Sequence, residues 1–263
     1  MILMKQDTLQ NRDLYFGFQA SVGITKHMGG LKATKKLLEM CQVDKDKYVL
    51  EVGCGVGKSC CYLTEHYGCR AVGIDISEKM IVCSKARAKK KGVKKKVEFM
   101  IADAQKLPFP DNTFDVVFCE SVIAFLKDKR KAVKEFIRVV KPGGLVAFNE
   151  VFWAEKPSSA LVEYGSRIMG VSFLLKEEWE RLLKKSGLKN LRSEVCKVSL
   201  FDQMVEQIKW FSFKDYFKTW KNLLSNLVKN PDYRKFVKEA LKYPRGFYSN
   251  MGYGIFVGVK KDI

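Results

Sequence analysis

Three glycines at alternate positions constrain this chain more than any other feature. In VLEVGCGVGKS, residues 49–59, apolar residues lead into an acid at Glu51; Gly53, Gly55 and Gly57 follow, and a helix-compatible run opens at Ser59. The pattern predicts a strand, a tight turn and a helix start. Glycine tolerates positive φ and lets a ligand lie against the backbone, and the first turn of a helix presents N–H groups with no intrahelical partner. A nucleotide-like ligand suits such a loop. Two nucleotide-binding patterns miss by one position each. The phosphate loop GxxxxGK[ST] would use Gly57, Lys58 and Ser59, but its first glycine falls on Val52. The dinucleotide pattern GxGxxG would use Gly53 and Gly55, but its third glycine falls on Lys58.

The residues downstream alternate between strand and helix patterns. Ser59 to Tyr67 reads as a short helix closed by Gly68, and Arg70 to Ile76 as a buried strand delivering Asp75, 18 residues beyond Gly57. An acid at that distance from a glycine turn is placed to accept hydrogen bonds from both hydroxyls of a ribose. Ser77 then caps a basic helix running to Gly92. Val97 to Ala102 is a third strand, followed by Asp103 and Ala104, where a carboxylate can accept from an adenine amino group beside apolar neighbours. Phe114 to Cys119 is a fourth strand carrying Glu120 to the same edge. Asp128 to Val140 is a helix, and the Lys141-Pro142-Gly143-Gly144 turn starts a fifth strand, LVAFNEVFW. Five alternations predict an α/β fold, a doubly wound and mostly parallel sheet with helices on both faces.

Five segments in this order, EVGCGVG, VGIDIS, IADAQKLPF, FDVVFCES and VVKPGGLVAF, resemble the successive motifs of the class I S-adenosylmethionine (SAM) dependent methyltransferases, most of all the group acting on small molecules such as quinones, sterols and tocopherols. The likeness covers roughly residues 31 to 150 and rests on five motifs at compatible spacing. It implies a Rossmann-like sheet with an antiparallel last strand and SAM as cofactor. It also implies that Glu51, Gly53, Cys54 and Gly55 border the amino-acid end of the cofactor, that Asp75 and Ile76 meet the ribose, that Asp103 and Ala104 read the adenine, and that Glu120 sits near the sulfonium.

Upstream, residues 1 to 30 are aromatic enough, with Tyr15, Phe16 and Phe18, to form a helical lid, and Leu31 to Gln42 has helical periodicity. Downstream, Lys176 to Ser186 is an amphipathic helix, and Leu191 to Leu200 and Gly252 to Lys260 read as two closing strands. The expected division is therefore a lid at 1–30, a core at 31–200 with 252–263, and a helical cap at 201–251. The cap is rich in aromatics: Phe201, Trp210, Phe211, Phe213, Tyr216, Phe217, Trp220, Tyr233, Phe236, Tyr243, Phe247 and Tyr248. Such residues serve as core, or line an acceptor pocket for an apolar or cationic molecule.

Methyl transfer needs alignment and exclusion of water more than it needs acid–base chemistry. Glu120, His27 and Tyr15 are the candidate catalytic groups, with Glu150 a further base. Eight scattered cysteines without a CxxC pair suit a reducing compartment, and two histidines argue against a zinc site, so no metal is expected. Cys60 and Cys61 read as packing residues. With no apolar run of 18 residues, and an opening Met1-Ile2-Leu3-Met4 too short for a signal-peptide core, a soluble cytoplasmic protein is expected. The net charge of +19 comes mainly from lysine, bunched at Lys89 to Lys91 and Lys94 to Lys96. It keeps two further readings open: an RNA acceptor, and contact with a membrane surface. A protein that binds SAM without catalysis is a third alternative, since fold does not dictate chemistry.

Overall fold

The computed structural model describes residues 14–17, 19–20, 27–199, 205–206 and 213–261, the side chains of 213–216 and 218 excepted. Most of the expected lid, with Phe18, lies outside the described residues, as do Phe201, Trp210 and Phe211 of the expected cap.

Strand β1 (Tyr48–Val52) is the centre of the sheet, and helix α1 (Gly30–Met40) precedes it. The chain then runs through α2 (Lys58–Tyr67), β2 (Arg70–Asp75), α3 (Glu78–Lys91), β3 (Val97–Ile101), β4 (Phe114–Glu120), α4 (Lys129–Val139) and β5 (Val140–Trp153). The strand order is β3-β2-β1-β4-β5 followed by β8 (Met251–Val259) and β7 (Lys189–Lys197), while β6 (Leu174–Leu175) pairs with β5. Strands β1 to β5 are parallel, and β8 runs antiparallel to both β5 and β7. The closing pair expected from the sequence is therefore present. The order turns back between β1 and β4, and a crevice opens there beyond the strands' carboxyl ends.

Alternation along each strand supplies both faces. Leu50, Val52, Val117 and Cys119 pack with Phe136 of α4 and with Trp179 of α6 (Lys176–Lys185) on one side. Val49, Val116 and Phe118 pack on the other with Leu37 and Leu38 of α1 and Leu63 of α2. Two buried layers explain why β1 reads as a nearly continuous apolar run interrupted by Glu51. Burying a side chain such as Trp179, 1% exposed, is worth about 3–5 kcal/mol against truncation to alanine.

The ends of the elements follow local chemistry. Gly57, Gly68 and Gly92 are left-handed at helix termini, and the Ser77 side chain accepts from the Met80 N–H. The Lys141-Pro142-Gly143-Gly144 segment differs from expectation. It does not separate helix from strand but bulges within β5, because Phe114 still pairs with Val140 before the register resumes at Val116 with Leu145.

Two helices, α7 (Phe213–Lys229) and α8 (Pro231–Ala240), stand in the expected cap, and α5 (Ser159–Tyr164) lies between β5 and β6. Phe236 and Phe247 are buried with Trp153, Tyr164 and Met251, and Tyr15 and Met28 pack against them. Phe217, Trp220 and Tyr243 are exposed. Among the described residues no helix is long and apolar enough to cross a membrane.

Candidate active site

Parallel strands in register bring their final residues to one edge. Val52 pairs with Ile74 and Cys119, and Asp75 with Ile101. Glu51, Asp75, Asp103 and Glu120, at or beside the ends of four adjacent strands, therefore converge on the crevice. A cavity of about 810 Å³ fills it. Its inner wall carries Glu51, Gly53, Cys54 and Gly55. Asp75, Ile76, Asp103 and Ala104 form one flank, and Tyr15, His27 and Glu120 close the other. Apart from Glu150, every residue singled out in the sequence as a cofactor or catalytic candidate lines this cavity.

The glycine turn adopts the conformation its composition predicts. Gly53, Gly55 and Gly57 have φ of 72°, 52° and 72°. A Cβ on Gly53 would lie 2.3 Å from Val122 Cγ2, so a side chain there is excluded by contact as well as by backbone strain. Asp75 fixes the turn from the neighbouring strand: Gly55 N–H donates to its Oδ2 at 2.9 Å and Ser77 N–H to its Oδ1 at 2.9 Å. Burial raises the Asp75 carboxyl, opposed by the N–H groups of Ser77, Gly55 and Ile76. Asp103 is exposed and accepts from the Gln105 N–H at 2.8 Å. Ile76 is 69% exposed, an apolar side chain held open at the cavity flank.

Glu51 is buried, and its Oε2 has no hydrogen-bond partner among the described residues. Burial first, and the neighbouring Glu120 second, push its carboxyl up to about 8. Glu120 is differently held. Ser59 Oγ donates to its Oε2 at 2.9 Å, Asn149 Nδ2 to Oε1 at 3.2 Å, and Thr34 Oγ1 lies 3.0 and 3.1 Å from the two oxygens. His27 Nε2 is 3.6 Å from Oε1, 3.0 Å from Thr34 Oγ1 and 3.1 Å from the Gly30 carbonyl. A carbonyl can only accept, so Nε2 carries a proton, and the chain of donors runs from His27 through Thr34 to Glu120. Asn149 also donates to the Met28 carbonyl at 2.9 Å. Glu120 thus ties the segment entering α1 to α2 and β5.

Tyr15 stacks on Phe125 with ring centroids 6.2 Å apart, Phe16 lies 5.0 Å from Phe125, and Phe236 of α8 stands behind Tyr15 at 6.4 Å. Burial pushes the Tyr15 hydroxyl up to about 12, so it is a proton donor at neutral pH. Among the described residues, none of 201–251 lines the cavity; Phe236 supports its wall from behind.

Glu150 is buried behind the wall. Its Oε1 accepts from Val122 N–H at 2.7 Å and Ile123 N–H at 2.8 Å, which holds the turn carrying Val122 and Phe125 into the cavity. Burial raises its carboxyl to about 7 against those two N–H groups. The sequence reading had offered it as a base; its position makes it a scaffold for the turn. Sequence reasoning also missed Thr34, Ser59 and Asn149. They have no spacing relation to Glu120, and a hydroxyl or amide on a buried helix or strand face is the one signal that could have raised them.

Residues 50–148 match a family model described as a methyltransferase domain. The chain is 32% identical over 179 residues to an uncharacterized protein of Haemophilus influenzae, covering 66% of this chain and 71% of that one. It is 33% identical over 168 residues to phosphoethanolamine N-methyltransferase 1 of Zea mays, covering 63% of this chain and 33% of the relative. The match thus spans about a third of that longer enzyme. Among solved structures, phosphoethanolamine N-methyltransferase 2 of Haemonchus contortus, in complex with phosphomonomethylethanolamine and S-adenosylhomocysteine, superimposes with a TM-score of 0.71 at 19% identity over 96% of this chain and 58% of that one.

Proposed function

The chain belongs to the class I SAM-dependent methyltransferases, and from that premise we propose that it transfers a methyl group from SAM to a small-molecule acceptor, apolar or amine-bearing, held against Tyr15, Phe16 and Phe125. The observation that carries this reading is the convergence of a glycine turn and the acids Glu51, Asp75 and Asp103 on one cavity at the reversal of strand order. The residues fit the cofactor. The unpartnered Oε2 of Glu51 suits an ammonium, Asp75 keeps lone pairs for a ribose diol, and Asp103 suits an adenine amino group between Ile76 and Ala104. Gly53, Cys54 and Gly55 offer backbone to its amino-acid end.

When bound, SAM supplies a methyl group on positively charged sulfur. The chain's own residues align the acceptor and exclude water. An acceptor that arrives as an ammonium must lose a proton before its nitrogen can attack, and the Glu120 carboxylate on the wall, with His27 Nε2 3.6 Å behind it, is placed to receive it. Tyr15, protonated at neutral pH, is available as a hydrogen-bond donor on the cavity wall. The division into a lid at 1–30, a core at 31–200 with 252–263 and a cap at 201–251 belongs to the same proposal; its support is the insertion of α7 and α8 between the closing strands β7 and β8. So does a cytoplasmic location, supported by eight free cysteines.

Incubation of the protein with methyl-tritiated SAM and a panel of amines, phenols and apolar metabolites tests the reading. Acceptor-dependent incorporation into a small molecule is expected. Incorporation into RNA alone, or none with any acceptor despite SAM binding, would overturn it.

A further inference from the structure

Helix α7 leaves a row of large apolar side chains exposed. At 3.6 residues per turn, Phe217, Trp220, Leu224 and Val228 fall within an arc of roughly 80° and form a ridge about 16 Å long. They are 60%, 46%, 58% and 76% exposed. The half-buried residues of the helix are Thr219, Asn222, Leu223, Ser225, Asn226 and Leu227, so it also turns apolar side chains inward and the exposed ridge is apolar surface in excess of what it packs. A surface helix ordinarily buries its apolar stripe and exposes its polar one. An outward row of four large apolar side chains marks an interaction surface.

We propose that this face of α7 docks on an anionic lipid membrane. Charge selects the occupant. Residues 213–250 contain nine Lys and Arg against three Asp and Glu, and Lys221 and Lys229 on α7, Lys235 and Lys238 on α8, and Lys242 and Arg245 beyond it are all exposed. Arg234 donates to the Leu227 and Val228 carbonyls at 2.9 and 2.7 Å, which fastens α8 to the end of α7. A second copy of the chain would bring this cationic segment against its own like and be repelled. A bilayer with anionic headgroups complements it: the apolar ridge enters the boundary of headgroup and acyl chain, with tryptophan at the level it favours, while the lysines stay with the phosphates.

The other lysine clusters do not share this face. Lys89 to Lys91 end α3, and Lys94 to Lys96 precede β3, so they sit at the amino ends of the parallel strands. The ridge belongs to a helix pair whose Phe236 packs behind Tyr15 at the carboxyl ends, the side on which the cavity opens. Docking through α7 would set the cavity on the membrane-proximal side. The proposal does not depend on the methylation reading, because it concerns a surface outside the cavity.

The test is co-sedimentation of the full chain with vesicles of phosphatidylcholine alone and of phosphatidylcholine with roughly a third phosphatidylserine, at about 0.05 M and 0.5 M salt. The expected result is binding about tenfold or more tighter to the anionic vesicles, weakened by salt, and reduced about tenfold or more by Leu224→Ser with Val228→Ser. Both positions are exposed, so the double variant should keep the wild-type urea midpoint. A second variant, Lys221→Glu, whose lysine flanks the ridge, should weaken anionic binding while leaving the apolar ridge intact. Absence of binding to either vesicle would overturn the proposal. So would equal binding to both, anionic binding that the Leu224 and Val228 changes leave untouched, or concentration-dependent self-association that those changes abolish.

Discussion

Replacing Glu51 by glutamine should uncouple cofactor binding from pH. Burial and Glu120 hold the Glu51 carboxyl near 8, so at pH 7 roughly nine in ten molecules carry it protonated before ligand arrives. An amino-acid ammonium brought against Oε2 stabilises the ionised form, and binding must then expel the proton. If the bound carboxyl falls below about 6, the release is roughly 0.9 proton per ligand at pH 7. The sign follows from linkage: the liganded state binds fewer protons, so affinity rises with pH, by up to about tenfold per unit between 6 and 8, and levels off above the free value. Calorimetric titration with S-adenosylhomocysteine in two buffers of different ionisation enthalpy counts the protons directly. Wild-type protein should release close to one, and Glu51→Gln should release none and show a flat profile. A wild-type titration without proton release at pH 7, or the same release from the variant, would refute the pairing of Glu51 with the ligand's ammonium.

Asp75→Ala should weaken S-adenosylhomocysteine binding by about 1–3 kcal/mol, since it removes the ribose acceptor and the partner of the Gly55 N–H; an unchanged affinity by titration would disconnect Asp75 from the ligand. Glu120→Ala strips a shared acceptor from Ser59, Asn149 and Thr34 and should lower the unfolding free energy by about 3 kcal/mol in urea denaturation, a loss that a purely catalytic Glu120 would not cause. Glu150 has its folded-state carboxyl raised to about 7, so its contribution is full below the unfolded value and is lost as pH rises through 7. Glu150→Gln keeps an oxygen for the Val122 and Ile123 N–H groups and removes that loss. The variant's unfolding free energy, from urea denaturation, should therefore fall less than the wild type's between pH 5 and pH 8, by up to about 3 kcal/mol, and parallel curves would contradict the assignment.

The inner wall of the cavity was legible because its requirements are local. Positive φ at Gly53, Gly55 and Gly57 demands glycine, and an acid at the end of a buried strand stands out against the apolar run before it. Asp75 and Asp103 were found in this way. What holds Glu120 was not legible. Thr34, Ser59 and Asn149 come from α1, α2 and β5, and no sequence period relates them; their meeting is a product of packing. Glu150 was visible as an acid, but its direction was not: one carboxylate beside the strand ends faces the cavity and the next turns back to hold a backbone turn. The same limit applies to α7. Periodicity identifies an apolar stripe and says nothing of how much of it is covered; Leu223 and Leu227 are half-buried, and Phe217, Trp220, Leu224 and Val228 are exposed.

The most direct test of the central claim is a calorimetric comparison of S-adenosylhomocysteine, ATP and NAD as ligands of the purified protein. Selective binding of S-adenosylhomocysteine, weakened by Asp75→Ala, is the result expected from a glycine turn flanked by Glu51, Asp75 and Asp103. Binding of ATP or NAD in its place would contradict the assignment of the cavity, and the proposed methyl transfer would fall with it.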